Sequence, residues 1–293
     1  MAGPYLGNAK NTMEIIRKYD FAFQKRFGQN FLIDSGVLER IVKSAGITKD
    51  DCILEIGPGI GTLTQYLAEA AGKVIAVEID RNLIPVLSET LKDWDNVEVI
   101  NEDILKLDIL KLSQEKNQGR KFKAVANLPY YITTPIIMNL LENEIPVDSI
   151  TVMIQKEVAE RMQAQPGNKE YGALSLAVQY YSEAHAALRV PCNCFIPRPK
   201  VDSEVIHLNK YDEPPVKVSD SKLMFKIIRA SFNQRRKTLV NGIKNAPELG
   251  FSREEVSYAL QECGFDPSVR GEQLSIDDFA RLTDILLNNK NGM

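Results

Sequence analysis

Four side chains that can accept hydrogen bonds recur along this chain at almost constant spacing: Glu55, Glu78, Asp103 and Asn127, separated by 23, 25 and 24 residues. Each stands at or just past the end of a short β-branched run, so each interval is about one strand–helix unit long. In an open α/β sheet such residues gather beyond the carboxyl ends of the strands, the edge where ligands bind. Glu55 also begins EIGPGIG, whose Gly57, Gly59 and Gly61 permit a tight turn and close backbone approach to a ligand. The dinucleotide fingerprint is G-x-G-x-x-G; here the spacing is G-x-G-x-G, and Thr62 stands where the fingerprint has its last glycine. Taken alone, this is equally a bland strand-to-helix turn. Glu78, in VIAVEID, can accept from both hydroxyls of a ribose, and Asp103, in NEDIL, can accept from the amine of an adenine. Taken alone, Asp80 and Asp103 are also ordinary helix caps. The regular series favours one adenosine-containing ligand. The altered glycine spacing speaks against a pyrophosphate, and S-adenosylmethionine, which carries ribose and adenine without phosphate, suits the turn better.

Asn127-Leu128-Pro129-Tyr130 closes the series and sets the reaction class. An exocyclic adenine amine is a poor nucleophile because its lone pair is delocalised into the ring. The amide oxygen of Asn127 and the backbone carbonyl of Leu128 can accept its two N–H bonds, drawing the nitrogen toward sp³ and aiming the lone pair at a sulfonium methyl. Pro129 fixes the turn and removes a competing N–H. Tyr130 can stack on the base, a contact of roughly 1–3 kcal/mol by alanine truncation. The alkylated amine is acidic, so no general base is needed. As an isolated tetrapeptide this is an ordinary loop; its place at the end of the strand series gives it the catalytic reading.

Composition narrows the field further. The chain has 293 residues, 44% of them apolar and 26% charged, a globular mixture that excludes disordered and fibrous classes. Only two histidines occur, His185 and His207, both in alternating β-like runs and read as structural. A histidine triad or histidine-rich metal site therefore has little material, and no metal is expected. The four cysteines lack zinc-type or disulfide-framework spacing, which makes a reduced, cytoplasmic setting the expectation. No apolar stretch approaches the roughly 20 residues needed to span a membrane, and Gly3–Lys10 lacks a signal peptide's apolar segment. A net charge of −3 argues against wholesale attraction to nucleic acid. Binding to RNA must then rest on local basic, aromatic-interleaved patches. Lys25-Arg26-Phe27, Arg198-Pro199-Lys200 and Phe232-Asn233-Gln234-Arg235-Arg236-Lys237 are the candidates, and a solvated helix face is the plain alternative for the last.

The elements that must position these residues alternate between strand and helix. Cys52–Ile56, Val74–Val77, Val97–Asn101, Phe122–Ala126 and Ser149–Ile154 read as strands; Thr62–Ala70, Arg81–Thr90 and Thr133–Asn143 have helical spacing. That alternation predicts an α/β domain with a parallel sheet. Ala184–Val190 and Val201–Asn209 read as an antiparallel pair at the sheet's edge, around FIPRPK. Tyr211–Val218, YDEPPVKV, reads as a linker, because its Pro-Pro pair cannot continue a helix or strand. Beyond it only helices are expected: Ser221–Ala230, Leu239–Ala246, Ser252–Cys263 and Ile276–Asn288. From Tyr211 to the end the chain carries twelve basic and twelve acidic residues, so the basic run is a local feature. The expected division is residues 1–34 as a mobile N-terminal segment with cofactor and RNA contacts, of which 25–34 closes over the cofactor, 35–210 as the α/β domain, and 211–293 as a helical domain.

Together, KRFGQNFLID (25–34), LEIGPGIGTLT (54–64), VIAVEID (74–80), NEDIL (101–105), VANLPYYITTPII (125–137), EYGALS (170–175) and FIPRPKVDS (195–203) resemble the ribosomal RNA adenine N6-dimethyltransferases, over almost the whole chain. The resemblance implies a Rossmann-like class I S-adenosylmethionine-dependent methyltransferase domain with a smaller all-α C-terminal domain, yielding S-adenosylhomocysteine. It implies that Asn30 and Leu32 help bind the donor's methionine end, that Gly57 lies against it with Gly59 in the same turn, that Glu78 holds the ribose and Asp103 the adenine. Asn127 to Tyr130 would form the target-base pocket, and Phe195 a second aromatic wall. The implied reaction dimethylates two adjacent adenosines near the 3′ end of small-subunit (16S) rRNA during small-subunit biogenesis, by a monomer working on the immature 30S particle. Erm-type enzymes share GQNFL-like and N-x-P-Y motifs but act on large-subunit rRNA; IGPGIG with PRPKVDS favours the small-subunit branch. Mitochondrial relatives that serve as transcription factors are disfavoured by the lack of a transit-like N-terminus. A chiefly non-catalytic assembly factor is the remaining alternative, although such a factor has no need of an intact N-L-P-Y.

Overall fold

The computed structural model describes residues 3–20, 29–142 and 145–291. In chain order the elements begin with α1 (Ala9–Lys18), β1 (Phe31–Leu32), α2 (Ser35–Ser44), β2 (Cys52–Ile56), α3 (Thr62–Ala70), β3 (Lys73–Glu78), α4 (Ile84–Thr90) and β4 (Val97–Asn101). Next come α5 (Ile109–Asn117), β5 (Phe122–Asn127), α6 (Thr133–Glu142), β6 (Val147–Gln155), α7 (Lys156–Gln163) and α8 (Ala173–Tyr181). Then follow β7 (Ser182–Val190), β8 (Phe195–Ile196), β9 (Ser203–Lys210), α9 (Ser221–Asn233), α10 (Leu239–Lys244), α11 (Arg253–Glu262) and α12 (Ile276–Asn291).

The main sheet has seven strands in the order β4-β3-β2-β5-β6-β9-β7. β2 is buried along its whole length, CILEI, as a strand covered on both faces must be. It pairs in parallel with β3 on one side and β5 on the other. The chain runs outward from β2 through β3 to β4, then returns to β5 and continues to β6, so the strand order reverses at β2. A crevice opens at such a reversal, beyond the carboxyl ends of the strands. The register carries the polar series there: Glu78 is the partner of Asn101, and Asn127 that of Met153. β9 runs antiparallel to β6, with Ser203 opposite Gln155. A separate two-stranded ladder joins β1 to β8, with Leu32 opposite Phe195.

Helix starts follow side-chain chemistry. Asp34 accepts from the Val37 N–H at α2, Asp108 from Lys111 at α5, and Asp220 from Leu223 at α9. Each such cap contributes about 1 kcal/mol.

The described residues cluster into two compact units, Met1–Ala159 with Ala184–Lys210, and Glu160–Glu183 with Tyr211–Met293. The second unit thus takes in Glu160–Glu183, which the sequence assigned to the α/β domain of 35–210. The reason lies in Tyr171, fully buried, whose hydroxyl donates to the Leu274 carbonyl at 3.0 Å and whose ring meets Phe232 edge-on. The N-terminal stretch contains a helix that the sequence pattern did not place. Residues 9–18 form α1, Leu6 is buried, and Gln65 accepts its N–H at 3.0 Å. The expected 25–28 portion, with Lys25 and Arg26, lies outside the described residues. Among the described residues, no helix is long and apolar enough to cross a membrane.

Candidate active site

One cleft collects the polar series. It opens at the carboxyl ends of β2, β3, β4 and β5 and is lined by the β1–β8 ladder as well. Counting its open mouth and the solvent within it, the cleft spans about 1140 Å³. The carboxyls of Glu55, Glu78, Glu102 and Asp103 line it, and no Lys, Arg or His is among its described lining residues. A cleft whose described titratable carboxyls have no cation beside them in its lining favours a ligand with net positive charge.

Glu78 is buried where β3 ends. Its Oε1 accepts from the Asp80 N–H at 2.8 Å and its Oε2 from the Gly59 N–H at 3.2 Å, so the carboxylate and the glycine turn are fixed as one unit. Burial pushes Glu78 up to about 7, although those two N–H groups favour its ionised form. Gly57 has φ +69°, and a Cβ there would meet nothing within 4 Å, so bare backbone faces the cleft. Gly59 has φ +62°, and a Cβ would stand 3.0 Å from the Phe31 ring. The turn is therefore closed to side chains on one flank and open to a ligand on the other.

Asp103 follows β4. Its Oδ1 caps the next turn by accepting from Leu105 N–H at 3.0 Å, which leaves its second oxygen near the exposed Lys106 ammonium at 4.0 Å. Asp80 likewise caps a short turn, accepting from Asn82 N–H, and takes a further hydrogen bond from Gln29. Capping leaves each carboxylate with lone pairs that a ligand can use.

Asn127 ends β5. Its Nδ2 donates to the Asn30 carbonyl at 3.2 Å, which turns Oδ1 into the amide's acceptor on the other side. The turn after it is tightly held: Leu128 N–H donates to the Met153 carbonyl at 3.1 Å, and the Pro129 carbonyl accepts from both Ile132 N–H and Thr133 Oγ1. The Tyr130 hydroxyl and Ser203 Oγ share a hydrogen bond of 3.0 Å, and burial raises the Tyr130 hydroxyl above its ordinary value. Leu32 and Phe195, paired across β1 and β8, are both buried and both line the cleft. Asn30, Leu32, Gly57, Gly59, Glu78, Asp103, Asn127, Leu128, Pro129, Tyr130 and Phe195 thus all stand in one cleft.

The basic candidates are placed differently. Arg198 and Lys200 are exposed, and Arg198 Nε donates to Cys192 Sγ at 3.0 Å. Arg235 is committed within its own unit: its Nη2 donates to the carbonyls of Lys169 at 2.7 Å and Tyr171 at 3.0 Å and pairs with Glu272. Arg236 and Lys237 are exposed. His207 is structural, with Nδ1 on Thr151 Oγ1 and Nε2 on Asn209 Oδ1. Among the described residues no His, Cys, Asp and Glu group of three or more could hold a metal ion.

Three lining or supporting residues had no assigned role from the sequence. Ser203 lies 73 positions from Tyr130, and no local pattern joins them. Tyr131, half exposed at 57%, lines the cleft beside Tyr130; the Tyr-Tyr pair was its signal. Glu55 opened the acid series, yet nothing in the series told that its carboxyl would be buried with Oε2 lacking a hydrogen-bond partner.

The sequence profile of ribosomal RNA adenine dimethylase matches residues 20–288. A protein of Lachnoclostridium phytofermentans named ribosomal RNA small subunit methyltransferase A is 60% identical over 283 residues, 96% of this chain and 98% of its own length. One of the same name from Clostridioides difficile is 51% identical over 96% of both chains. Among solved structures, a dimethyladenosine transferase from Plasmodium falciparum superposes with a TM-score of 0.71 at 28% identity, covering 90% of this chain and 98% of that one. The 23S rRNA methyltransferase ErmE superposes with 0.66 at 26% identity, covering 87% and 99%. These matches span both compact units and assign the α/β unit a Rossmann-like methyltransferase fold. The chain belongs to the ribosomal RNA adenine dimethylase family.

Proposed function

We propose that this protein transfers two methyl groups from S-adenosyl-L-methionine to the N6 amine of each of two adjacent adenosines near the 3′ end of small-subunit (16S) rRNA. The observation that carries the reading is the Asn127 amide, locked through Nδ2 so that Oδ1 is its acceptor, in a cleft that shares its lining with the buried Glu78 and with Asp103. The names and high identity of the bacterial relatives support the small-subunit substrate over the large-subunit one.

The donor supplies a methyl group on a cationic sulfur. The residues present suit such a molecule: four carboxyls and no described cation line the cleft, and Gly57 leaves backbone bare to it. In this reading Glu78 accepts from the ribose hydroxyls through the lone pairs left by Gly59 and Asp80, and Asp103 takes the donor's adenine amine. Asn30, Leu32, Gly57 and Gly59 line the methionine end. Asn127 Oδ1 and the Leu128 carbonyl hold the target amine, Tyr130 and Phe195 face the target base, and Pro129 keeps the turn free of a competing N–H. The amine's proton leaves to these acceptors or to water once the nitrogen is alkylated. S-adenosyl-L-homocysteine departs.

The wider RNA surface would draw on Arg198, Lys200, Arg236 and Lys237, and on Lys25 and Arg26. A monomer acting on the immature 30S particle in the bacterial cytoplasm completes the reading. Incubation with labelled donor and unmodified small subunits, large subunits or free RNA tests it, with products mapped by mass spectrometry. Dimethyladenosine pairs in small subunits are expected. Label confined to large subunits would replace the substrate, and tight binding without label would replace the enzyme by an assembly factor.

A further inference from the structure

The cleft contains a carboxyl that the mechanism above does not use. Glu55, the fourth residue of β2, is 1% exposed, and its Oε2 has no hydrogen-bond partner. Beside it at the start of α3 the hydroxyl of Thr62 is also buried without a partner, and that of Thr64 lies close enough to favour the ionised carboxylate without offsetting its burial. Glu55 and Thr62 both line the cleft. An ionised carboxylate left so bare in the protein interior carries a heavy desolvation penalty, whereas a protonated one carries much less.

Among the described residues no cation lines the cleft to offset that penalty. In the strand register Glu55 faces Ala76 of β3 and Val125 of β5. The lysines of those strands lie at the opposite ends, Lys73 beside Cys52 and Lys123 beside Ile53, paired with Glu98 and Asp51. On α3 the titratable groups are Tyr66, whose hydroxyl donates to the Leu6 carbonyl, and the exposed Glu69. From β3 and β4 the cleft receives only further acids, Glu78, Glu102 and Asp103. Burial pushes Glu55 up to about 8, with the nearby Thr64 hydroxyl opposing and the charge of Glu78 adding.

We infer that Glu55 is held as the neutral acid in the ligand-free protein and ionises when a cationic methyl donor occupies the cleft, so that donor binding releases the Glu55 proton and product binding does not. The inference rests on the function proposed above. S-adenosylmethionine carries a net charge of +1 and S-adenosylhomocysteine none, because methyl transfer turns the sulfonium into a neutral thioether. The two ligands are otherwise alike. The cationic one restores the missing counter-charge in a cleft whose described charged groups are all acids; the Glu55 proton passes to the buffer, and no other bond changes. Discrimination against the spent product then grows as pH rises, because the donor's affinity is linked to loss of that proton and the product's is not.

Isothermal titration of the full-length protein with each ligand, in buffers of low and high ionisation enthalpy near pH 7.5, reads the protons directly. Wild type is expected to release roughly 0.3–0.8 of a proton more on binding S-adenosylmethionine than on binding S-adenosylhomocysteine, any release through Glu78 at the shared ribose being common to both. Glu55→Gln, the neutral isostere of the protonated acid, is expected to abolish the difference. A second measurement uses wild type alone: its preference for donor over product is expected to rise roughly three- to tenfold between about pH 6.5 and pH 8.5. Equal proton release for the two ligands, or a difference between them that survives in Glu55→Gln, overturns the inference while leaving the methyltransferase reading in place. Failure of wild type to bind the donor at all overturns both.

Discussion

The side-chain nitrogen of Asn127 donates to the backbone carbonyl of Asn30, 97 residues earlier in the chain, at 3.2 Å. An asparagine amide is nearly symmetric in shape, and this bond breaks the symmetry. With Nδ2 engaged, Oδ1 is the group presented as an acceptor. The strand β1 that follows Asn30 is itself fixed to β8, so the segment proposed to hold the donor also orients the residue proposed to hold the target amine. Orientation of this kind costs nothing at the moment of reaction, which is why preorganised acceptors lower barriers.

The Tyr130–Ser203 hydrogen bond gives a prediction that ring stacking alone does not. Tyr130→Ala should lower turnover by about tenfold or more through the loss of stacking. Tyr130→Phe and Ser203→Ala should each lower it roughly two- to tenfold, the span expected for one neutral hydrogen bond. The double variant should fall no further than either single one, as a shared bond requires. Single-turnover rates on small subunits measure all four, and additive losses would contradict the pairing.

Glu78 holds the glycine turn and is proposed to hold the ligand. Glu78→Ala removes the acceptor of the Gly59 and Asp80 N–H groups together with the proposed ribose contact. Donor affinity should fall about tenfold or more, by calorimetry on a protein shown to be folded. An unchanged affinity would remove Glu78 from the donor site.

Stability should fall with rising pH across the range set by the buried acids. Glu55 and Glu78 titrate ordinarily at 4.5 and are pushed up to about 8 and about 7 in the fold. Between those values the native chain binds more protons than the unfolded one, so unfolding free energy declines as pH rises. Their contribution is full below about pH 4.5 and is lost by about pH 8. Urea unfolding at several pH values should show a shallower decline in Glu55→Gln than in wild type. Parallel curves would mean that Glu55 ionises normally.

The basic run divides into one residue held within the fold, Arg235, and two exposed candidates for RNA contact, Arg236 and Lys237. Arg235→Ala should lower the melting temperature, because its guanidinium holds the carbonyls of Lys169 and Tyr171 within the second unit. Arg236→Ala with Lys237→Ala should leave the melting temperature unchanged and weaken RNA binding. The salt slope of that binding should drop by roughly one for each phosphate that is no longer neutralised. An unchanged slope would make these two residues a solvated face.

Much of the first unit was legible because its signals are local. β2 is a short buried β-branched run bounded by a glycine turn, and α3 begins and ends where its apolar spacing does. The even spacing of Glu55, Glu78, Asp103 and Asn127 worked because each βα repeat returns the chain to the same edge. The features that were not legible have physical causes. α1 lies in a polar stretch, and its apolar stripe is narrow, with only Thr12, Ile15 and Ile16 of its ten residues buried. α8, ALSLAVQYY, is apolar nearly all round and shows no amphipathic period. Its membership of the second unit depends on long-range contacts of Tyr171 and Phe225 that no window of sequence contains. Arg235 looked like a phosphate ligand because its carbonyl partners lie more than sixty residues away.

The most direct test of the account is the rate and product of Asn127→Ala on unmodified small subunits with saturating S-adenosylmethionine. The amide is assigned a role in the transition state, so turnover should fall steeply while subunit binding stays almost intact, the wider RNA surface supplying most of the affinity. Any residual product should be enriched in monomethyladenosine, because a monomethylated amine offers one N–H and depends more on each acceptor. Mass spectrometry of the modified adenosines reads both quantities. Dimethylation by Asn127→Ala at the wild-type rate would contradict the mechanism.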